Sequence, residues 1–306
     1  MDAALILLKQ LISMFIFMGI GFVLFRKKLI TEGGSKELSN LLLYIVLPAV
    51  IIRSYYVERT PSYLKGLGLS FGLSALLLLL AMVVSGLLFG RRKRIENIGV
   101  AFSNCGFMGI PLVRAVMGEE AVFFCSAFVA ILLLLQWTYG VYIMTDDKEA
   151  ISVSKIFTNP VLIATVIGVA IFLIQIPLPT VAVTALDSLG ALNAPVAMII
   201  LGVYLAQANI RSIFTDKKIY WASLIRLAVI PLASIAVLCL LPDTVNPMKL
   251  TLLISASAPI GANVAIFSQK VGLDYTHAVK LVCLSTILSI ISMPLLILVA
   301  SHLWLV

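Results

Sequence analysis

The sequence predicts an all-α integral membrane protein with ten transmembrane helices, arranged as a 5+5 inverted repeat. Three observations carry this prediction: the composition, the alternation of charge between apolar segments, and prolines that recur at a fixed offset. Of the 306 residues, 61% are hydrophobic and 12% are charged, whereas a soluble domain is about 45–50% apolar and about 25% charged. The composition therefore indicates a chain that lies in a lipid bilayer.

Ten apolar segments are long enough to cross a membrane, which requires roughly 20 mostly apolar residues. The predicted spans are 4–25, 38–56, 67–90, 97–116, 121–144, 156–176, 187–207, 218–241, 249–269 and 280–304. The glycine pairs Gly68-x-x-x-Gly72 and Gly86-x-x-x-Gly90 within the third span allow close helix packing.

The connections between these spans alternate in charge. One set carries only Arg59, Lys65 and Lys249, whereas the other carries Arg26, Lys27, Lys28, Lys36, Arg91, Arg92, Lys93, Arg94, Lys148, Lys155, Arg211, Lys217, Lys218, Lys270 and Lys280. By the positive-inside rule the second, basic set faces the cytoplasm. We therefore expect an inner (plasma) membrane protein with both termini extracytoplasmic. Because the basic residues lie in short runs between spans and form no aromatic-rich basic face, the net charge of +8 does not indicate nucleic-acid binding.

The prolines within the spans repeat at a constant spacing. Pro195 follows Pro48 by 147 residues, and Pro259 follows Pro111 by 148. Five helices are an odd number, so the second copy enters the membrane the other way up, as in many secondary transporters. This spacing predicts two repeats, residues 1–145 and 152–306.

Two spans are interrupted at equivalent positions, within residues 103–112 and 255–264. A helix in lipid must satisfy its own backbone groups, so such interruptions are tolerated where they line a cavity or meet a ligand. We expect a half-helix to start near Pro111 and another to be capped by Asn263. Two helix N-termini would then face one point and suit an anionic group such as a carboxylate. Asn104, with the hydroxyls of Ser103, Ser255 and Ser257, adds hydrogen-bonding groups there.

Other residues leave alternatives open. Pro48 and Pro195 are interpreted as structural kinks or hinges. Arg114 either attracts an anionic substrate or pairs with Glu119 or Glu120. Arg53 either lines a path or snorkels to the outer surface, and Arg226 has no assigned role. Gln136 and Gln207 are candidates for hydrogen bonds between helices.

No catalytic or metal-binding pattern is found in the sequence. The four cysteines all fall within apolar spans and form no CxxC pair, and His277 and His302 are far apart. No Ser/His or paired-Asp arrangement occurs in the spans, so we expect no enzyme, no metal and no cofactor. No carboxylate within a span marks a relay, which leaves proton coupling, sodium coupling and facilitated diffusion open.

The segment Asn104-Cys105-Gly106-Phe107-Met108-Gly109-Ile110-Pro111-Leu112, followed by Met117-Gly118, resembles the fourth helix of the auxin efflux carrier family. That family includes the plant PIN-type auxin transporters and bacterial permeases for malate or malonate. Ala258-Pro259-Ile260-Gly261-Ala262-Asn263 is similar to the ninth-helix interruption of its bacterial members.

The resemblance implies an elevator-type carrier related in fold to bile-acid sodium symporters. Helices 1, 2, 6 and 7 would form a scaffold, often dimeric, and helices 3–5 and 8–10 a moving transport domain. The family's substrate-binding Asn maps onto Asn104, and its crossover prolines map onto Pro111 and Pro259.

We therefore predict a homodimeric transporter, secondary active or facilitative, whose substrate is a small organic anion. The predicted substrate class is the mono- and dicarboxylates, with auxin-like acids among them. The alternatives are a sodium-coupled bile-acid-type symporter and a non-transporting membrane receptor. The predicted hinge or crossover residues are Pro48, Pro111, Pro195 and Pro259. The predicted substrate-binding residues are Asn104, Gly109, Pro111, Arg114, Ser257, Pro259, Gly261 and Asn263.

Overall fold

The computed structural model describes residues 3–208 and 210–304, and the regular secondary structure of these residues is helical. A single isolated antiparallel β-bridge within them joins Ser103 to Ile260. The helices are α1 (Ala3–Arg26), α2 (Glu32–Tyr55), α3 (Pro61–Phe89), α4 (Arg94–Ala101), α5 (Cys105–Met117), α6 (Glu119–Thr145), α7 (Val153–Phe157), α8 (Pro160–Ile174), α9 (Thr180–Gln207), α10 (Ile210–Thr215), α11 (Lys217–Leu238), α12 (Asn246–Ser257), α13 (Asn263–Lys270) and α14 (Tyr275–Trp304).

Within the described residues, seven helices are long and apolar enough to cross a membrane: α1, α2, α3, α6, α9, α11 and α14. The other three predicted spans coincide with shorter helices. The span 156–176 falls on α8, which has 15 residues. The spans 97–116 and 249–269 each fall on two helices, α4 with α5 and α12 with α13, separated by a non-helical segment.

Side-chain caps fix the start of several helices. The Thr60 hydroxyl accepts a hydrogen bond from the Tyr63 amide at 3.2 Å, immediately before Pro61. Asn159 accepts two backbone N–H bonds at 2.9 and 3.2 Å, immediately before Pro160. A capping side chain followed by proline in the first turn is a strong start signal, since proline lacks the N–H that would otherwise stay unpaired there.

Four helices in the described part of the chain contain a π-helical turn, at Leu42–Val46, Cys105–Gly109, Gln136–Gly140 and Ile225–Val229. Three of these turns are followed within two residues by proline: Pro48, Pro111 and Pro231. Proline removes one backbone donor and clashes with the preceding turn. A wider turn ahead of it lets the helix continue across the membrane, and such turns often occur at functional sites.

The backbones of α1 and α9 are in direct contact. A Cβ on Gly21 would lie 2.7 Å from the Ile199 Cα, and a Cβ on Gly202 would lie 2.8 Å from the Phe22 amide nitrogen. Glycine is required at both positions because the two backbones touch there. In the third span, no other described residue approaches a Cβ on Gly68 or Gly72 within 4 Å, whereas the Tyr139 hydroxyl would lie 3.5 Å from a Cβ on Gly86. Gly90 ends α3 with a positive φ of 56°.

The outside of the helix bundle is apolar. On α1 the exposed side chains include Leu5, Ile12, Ile16, Ile20 and Val23, and α3, α8 and α14 expose similar rows. Since such a surface is suited to hydrocarbon, the fold is that of a multi-pass membrane protein. Lys249, which we counted with the connections, is instead buried in α12, where its Nζ donates to the Leu241 carbonyl at 2.7 Å.

Candidate functional site

The two interrupted helices meet at their interruptions. The backbone of residues 102–104, between α4 and α5, pairs with residues 259–261, between α12 and α13. The backbone N–H of Asn104 donates to the Pro259 carbonyl at 2.7 Å, and the backbone N–H of Gly261 donates to the Phe102 carbonyl at 3.2 Å. Backbone groups freed by the interruptions therefore satisfy one another, as the bilayer interior requires. We call this region the crossing.

The start of α5 differs from the prediction. The half-helix begins at Cys105, not near Pro111, because the Asn104 carbonyl already accepts bonds from the Met108 and Gly109 amides at 2.9 and 3.2 Å. The π-helical turn precedes Pro111 and accommodates it, so the proline lies inside the half-helix and does not start it.

The cap predicted for α13 was also wrong. Asn263 is the first residue of the helix, and Ala262 before it makes no side-chain capping bond. The side-chain amide of Asn263 instead donates to the side-chain oxygen of Gln136 in α6 at 3.1 Å. The expectation that Gln136 hydrogen-bonds between helices is thereby confirmed.

Four polar atoms around the crossing are buried and have no hydrogen-bond partner among the described residues. They are Ser103 Oγ, Asn104 Nδ2, Asn193 Oδ1 and Ser257 Oγ. The four side chains are at most 4% exposed. Leaving a buried donor or acceptor unpaired costs about 1–3 kcal/mol, so this group of atoms indicates a place built to receive a hydrogen-bonding ligand or water.

Asn193 brings a third element to the crossing. Its Nδ2 donates to the Gly106 carbonyl at 3.0 Å, so α9 contacts the first turn of α5. Pro195 follows in the same helix, and Pro48 follows the π-helical turn of α2. The hinge role of these two prolines stays a prediction.

The predicted glycines lie where the crossing is tightest. A Cβ on Gly261 would lie 3.2 Å from the Ser103 carbonyl oxygen. A Cβ on Gly109 would lie 3.0 Å from the Cys105 sulfur and 3.7 Å from the Ser255 Cα. Gly261 therefore allows the two interrupted helices to approach each other, whereas the tight contact of Gly109 is with a side chain of its own helix.

Arg226 lies beside the crossing, and the sequence alone assigns it no role. Its side chain is 1% exposed and comes from the π-helical turn of α11. Its guanidinium donates to the carbonyls of Val100, Ala256 and Ala258, with two of the distances at 3.0 Å. The signal that could have found it is a charged residue in the middle of an apolar span.

A cavity of about 520 Å³ opens at the basic end of the molecule. Asn263 lines it, together with five aromatic side chains and the charged residues Glu32, Lys36 and Lys270. The aromatic lining residues are Tyr44, Trp137, Tyr204, Phe267 and Tyr275. This volume lies within the range of small-molecule sites, about 300–1,000 Å³. Asn104, Ser257 and Pro259 are buried and do not line the cavity.

The opposite end of the molecule carries ion pairs and packed rings. Arg114 forms an ion pair with Glu119 and donates to it at 2.9 Å, which is one of the two alternatives left open. It lies ten residues beyond Asn104, or about 15 Å along a helix. Arg53 pairs with Asp187 at 2.7 Å. Aromatic side chains pack edge to face at the same end: Tyr55, Tyr63, Phe123, Phe124 and Phe172.

Cysteine and acidic side chains form no metal centre in the described ranges, where no group of three or more His, Cys, Asp or Glu could hold a metal ion. The Cys105 and Cys125 sulfurs lie 3.6 Å apart, and both cysteines are free. Cys239, which was assigned to the interior of a span, is exposed just after α11.

Comparison with known proteins gives two matches. The profile of a family described as "Membrane transport protein" matches residues 6–297. A protein described as an uncharacterized transporter, from the archaeon Methanothermobacter thermautotrophicus, is 25% identical over 305 residues. The alignment covers 94% of this chain and 96% of that relative.

Proposed function

Because this chain belongs to the membrane transport protein family, that of the auxin efflux carriers, we propose that it carries a small organic anion across the membrane. The anion is a mono- or dicarboxylate, including auxin-like acids. The observation that supports this proposal is the crossing, where buried polar atoms without partners surround two helix N-termini. A carrier is a membrane protein without covalent chemistry, in keeping with a family of transporters.

The direction of the half-helices supports an anionic substrate. Both half-helices begin at the crossing, α5 at Cys105 and α13 at Asn263. Each helix N-terminus carries a partial positive charge of roughly half an elementary charge. Asn104 Nδ2 adds a buried donor beside them. A carboxylate accepts such donors and is favoured by both dipoles.

We propose a topology of ten spans in two inverted repeats. Ten membrane spans result when the seven long helices, α8 and the two interrupted helix pairs are counted together. With the basic connections in the cytoplasm, both termini are extracytoplasmic and the large cavity opens inward. The end that carries Arg114 and Arg53 then faces outward, and the proposed substrate site does not include Arg114, because this side chain pairs with Glu119.

We propose that transport moves the crossing relative to a scaffold of α1, α2, α8 and α9. Direct backbone contact between α1 and α9 supports a rigid unit, and α2 packs against α8 and α9. The contact of Asn193 with Gly106 joins the scaffold to the moving part and must break during an elevator-type movement. The scaffold is also the proposed homodimer interface, and H⁺ and Na⁺ are the coupling ions to test.

The proposed site is tested with asparagine variants reconstituted in proteoliposomes. Asn104→Ala and Asn263→Ala should abolish uptake of a labelled carboxylate while membrane insertion and elution volume stay normal. Asn97→Ala is the matched control, since it removes a buried amide of α4 that bonds to Gly90 outside the crossing. Near-normal uptake by both crossing variants would contradict the proposed site.

The substrate class is tested by thermal stabilisation of the purified protein against carboxylates and auxin-like acids. The panel is run with and without sodium and at two pH values. A ligand that binds the folded state raises the melting temperature according to its concentration relative to its dissociation constant. Counterflow of the stabilising acid then distinguishes a carrier from a receptor, which binds without exchange.

A further inference from the structure

Arg226 is a buried cation without an acidic partner. Its side chain is 1% exposed, and no carboxylate in residues 3–208 and 210–304 forms an ion pair with it. A buried charge is strongly unfavourable unless it is paired and hydrogen-bonded. The groups that compensate it must therefore be the three carbonyls to which it donates.

Those carbonyls belong to the C-terminal ends of both interrupted helices. Val100 lies in the last turn of α4, Ala256 lies in the last turn of α12, and Ala258 directly follows α12. Carbonyls in the last turn of a helix have no partner within it, and each helix C-terminus carries roughly −0.5 elementary charge. Two such ends amount to roughly −1, which the guanidinium balances.

The two N-terminal ends at the crossing have no such counter-charge within their own segments. Residues 97–118 and 246–273, which contain both interruptions and both following half-helices, include no Asp or Glu. With the C-terminal pair neutralised by Arg226, the partial positive charges of α5 and α13 remain. The net polarity of the crossing therefore favours an anion.

We propose that Arg226 is a positioning residue that joins the C-terminal ends of α4 and α12 and, by cancelling their negative charge, sets the preference of the crossing for an anion over its neutral analogue. The second half of this proposal rests on the proposed function. Arg226 does not touch the substrate in this scheme, since all three of its described bonds go to backbone carbonyls.

The test of charge preference compares two variants with a matched control. Arg226→Met removes the charge with similar bulk, Arg226→Lys keeps the charge with fewer donors, and Lys218→Met removes one charge from an exposed position of the same helix. The probes are malonate against malonamide and indole-3-acetate against indole-3-acetamide. Dissociation constants are measured by thermal stabilisation of the purified protein.

Wild type and Lys218→Met should bind the acid in preference to the amide. In Arg226→Met the ratio of the two dissociation constants should fall by about tenfold or more, since coupling of close charges exceeds about 1.4 kcal/mol. Arg226→Lys should restore most of the ratio. A purely structural role would weaken acid and amide equally and leave the ratio unchanged, which would overturn the proposal.

The joining role is measured without any ligand. Hydrogen–deuterium exchange of peptides covering 100–104 and 256–261 should increase together in Arg226→Met and stay at the wild-type level in Lys218→Met. Unchanged exchange in both peptides would refute the joining role. Binding of neither acid nor amide by wild type would refute the proposed function and the charge preference, whereas the exchange result would still decide the joining role.

Discussion

The direct backbone contact between α1 and α9 predicts a large loss of stability from a single methyl group. In Gly202→Ala the new Cβ would lie 2.8 Å from the Phe22 amide nitrogen and closer still to the Met18 carbonyl oxygen. Ordinary contacts of a Cβ begin at 3.4 Å, and distances under 3.0 Å are essentially never seen. Because the obstructing atoms are backbone, α1 and α9 must separate by more than half an ångström along their shared contact.

Overpacking of a close-packed region costs typically about 1–3 kcal/mol, and obstruction by backbone places this variant at the upper end. At about 2–4 °C per kcal/mol, the melting temperature should fall by about 5–10 °C. Loss of the folded fraction on heating in detergent, followed by size-exclusion chromatography, measures the shift. Gly21→Ala should behave alike, since its Cβ would lie 2.7 Å from the Ile199 Cα.

Gly19→Ala is the matched control on α1. No atom lies within 4 Å of a Cβ at this position, and alanine is favoured over glycine in a helix by up to about 1 kcal/mol. The control should be as stable as wild type or more stable. Equal melting temperatures for Gly202→Ala, Gly19→Ala and wild type would refute direct backbone contact between α1 and α9.

Three further outcomes are expected. Asn159→Ala should lower the free energy of unfolding by about 0.5–2 kcal/mol, because a side chain that caps two backbone N–H groups of α8 is lost; Asn159→Asp should keep the cap, and equal stability of all three proteins would contradict it. The effects of Gln136→Ala and Asn263→Ala on the free energy of unfolding should be non-additive, with a coupling energy of about 0.5–3 kcal/mol, because the two side chains share a hydrogen bond. Strict additivity would show that this bond is not formed. A substrate that enters the large cavity should change the fluorescence of Trp137, which lines it. The change should disappear in Trp137→Phe and remain in Trp221→Phe, which removes a lipid-exposed tryptophan. A substrate-induced change that persists in Trp137→Phe would place the substrate elsewhere.

Properties that a local stretch of sequence determines could be predicted well. Apolar length and composition predicted helices, and the clusters of Pro, Gly and Asn predicted that two of the spans are interrupted. The second interruption, residues 258–262, falls inside the predicted segment. For the first interruption, the following half-helix was predicted to start near Pro111, whereas it starts at Cys105. A proline is the strongest sequence signal for a helix start, whereas a π-helical turn carries no comparable signal.

The contacts of the crossing could not be predicted, because they depend on backbone groups that every residue shares. Arg226 bonds to carbonyls 30, 32 and 126 residues away, and nothing distinguishes these carbonyls in the sequence. The close packing of Gly21 and Gly202 is invisible for a related reason, since the two glycines lie in different spans and form no motif. The motif Gly68-x-x-x-Gly72, by contrast, lies on a face that no other described residue approaches within 4 Å.

The π-helical turns change the phase of the spans that contain them. Each residue of an α-helix advances the side-chain direction by about 100°, and a π-helical turn fits one residue more than an α-helical turn. In α11 the segments Lys217–Leu224 and Ile230–Leu238 flank the turn Ile225–Val229. A helical wheel that treats both segments as one series is therefore offset by about one residue between them.

Deleting one residue from that turn would bring the span back to a single phase and rotate one half of the helix against the other. The guanidinium of Arg226 and the lipid-facing side chains of α11 could then no longer both keep their directions. The wide turns thus let one helix serve two surroundings, the crossing on one side and the hydrocarbon on the other.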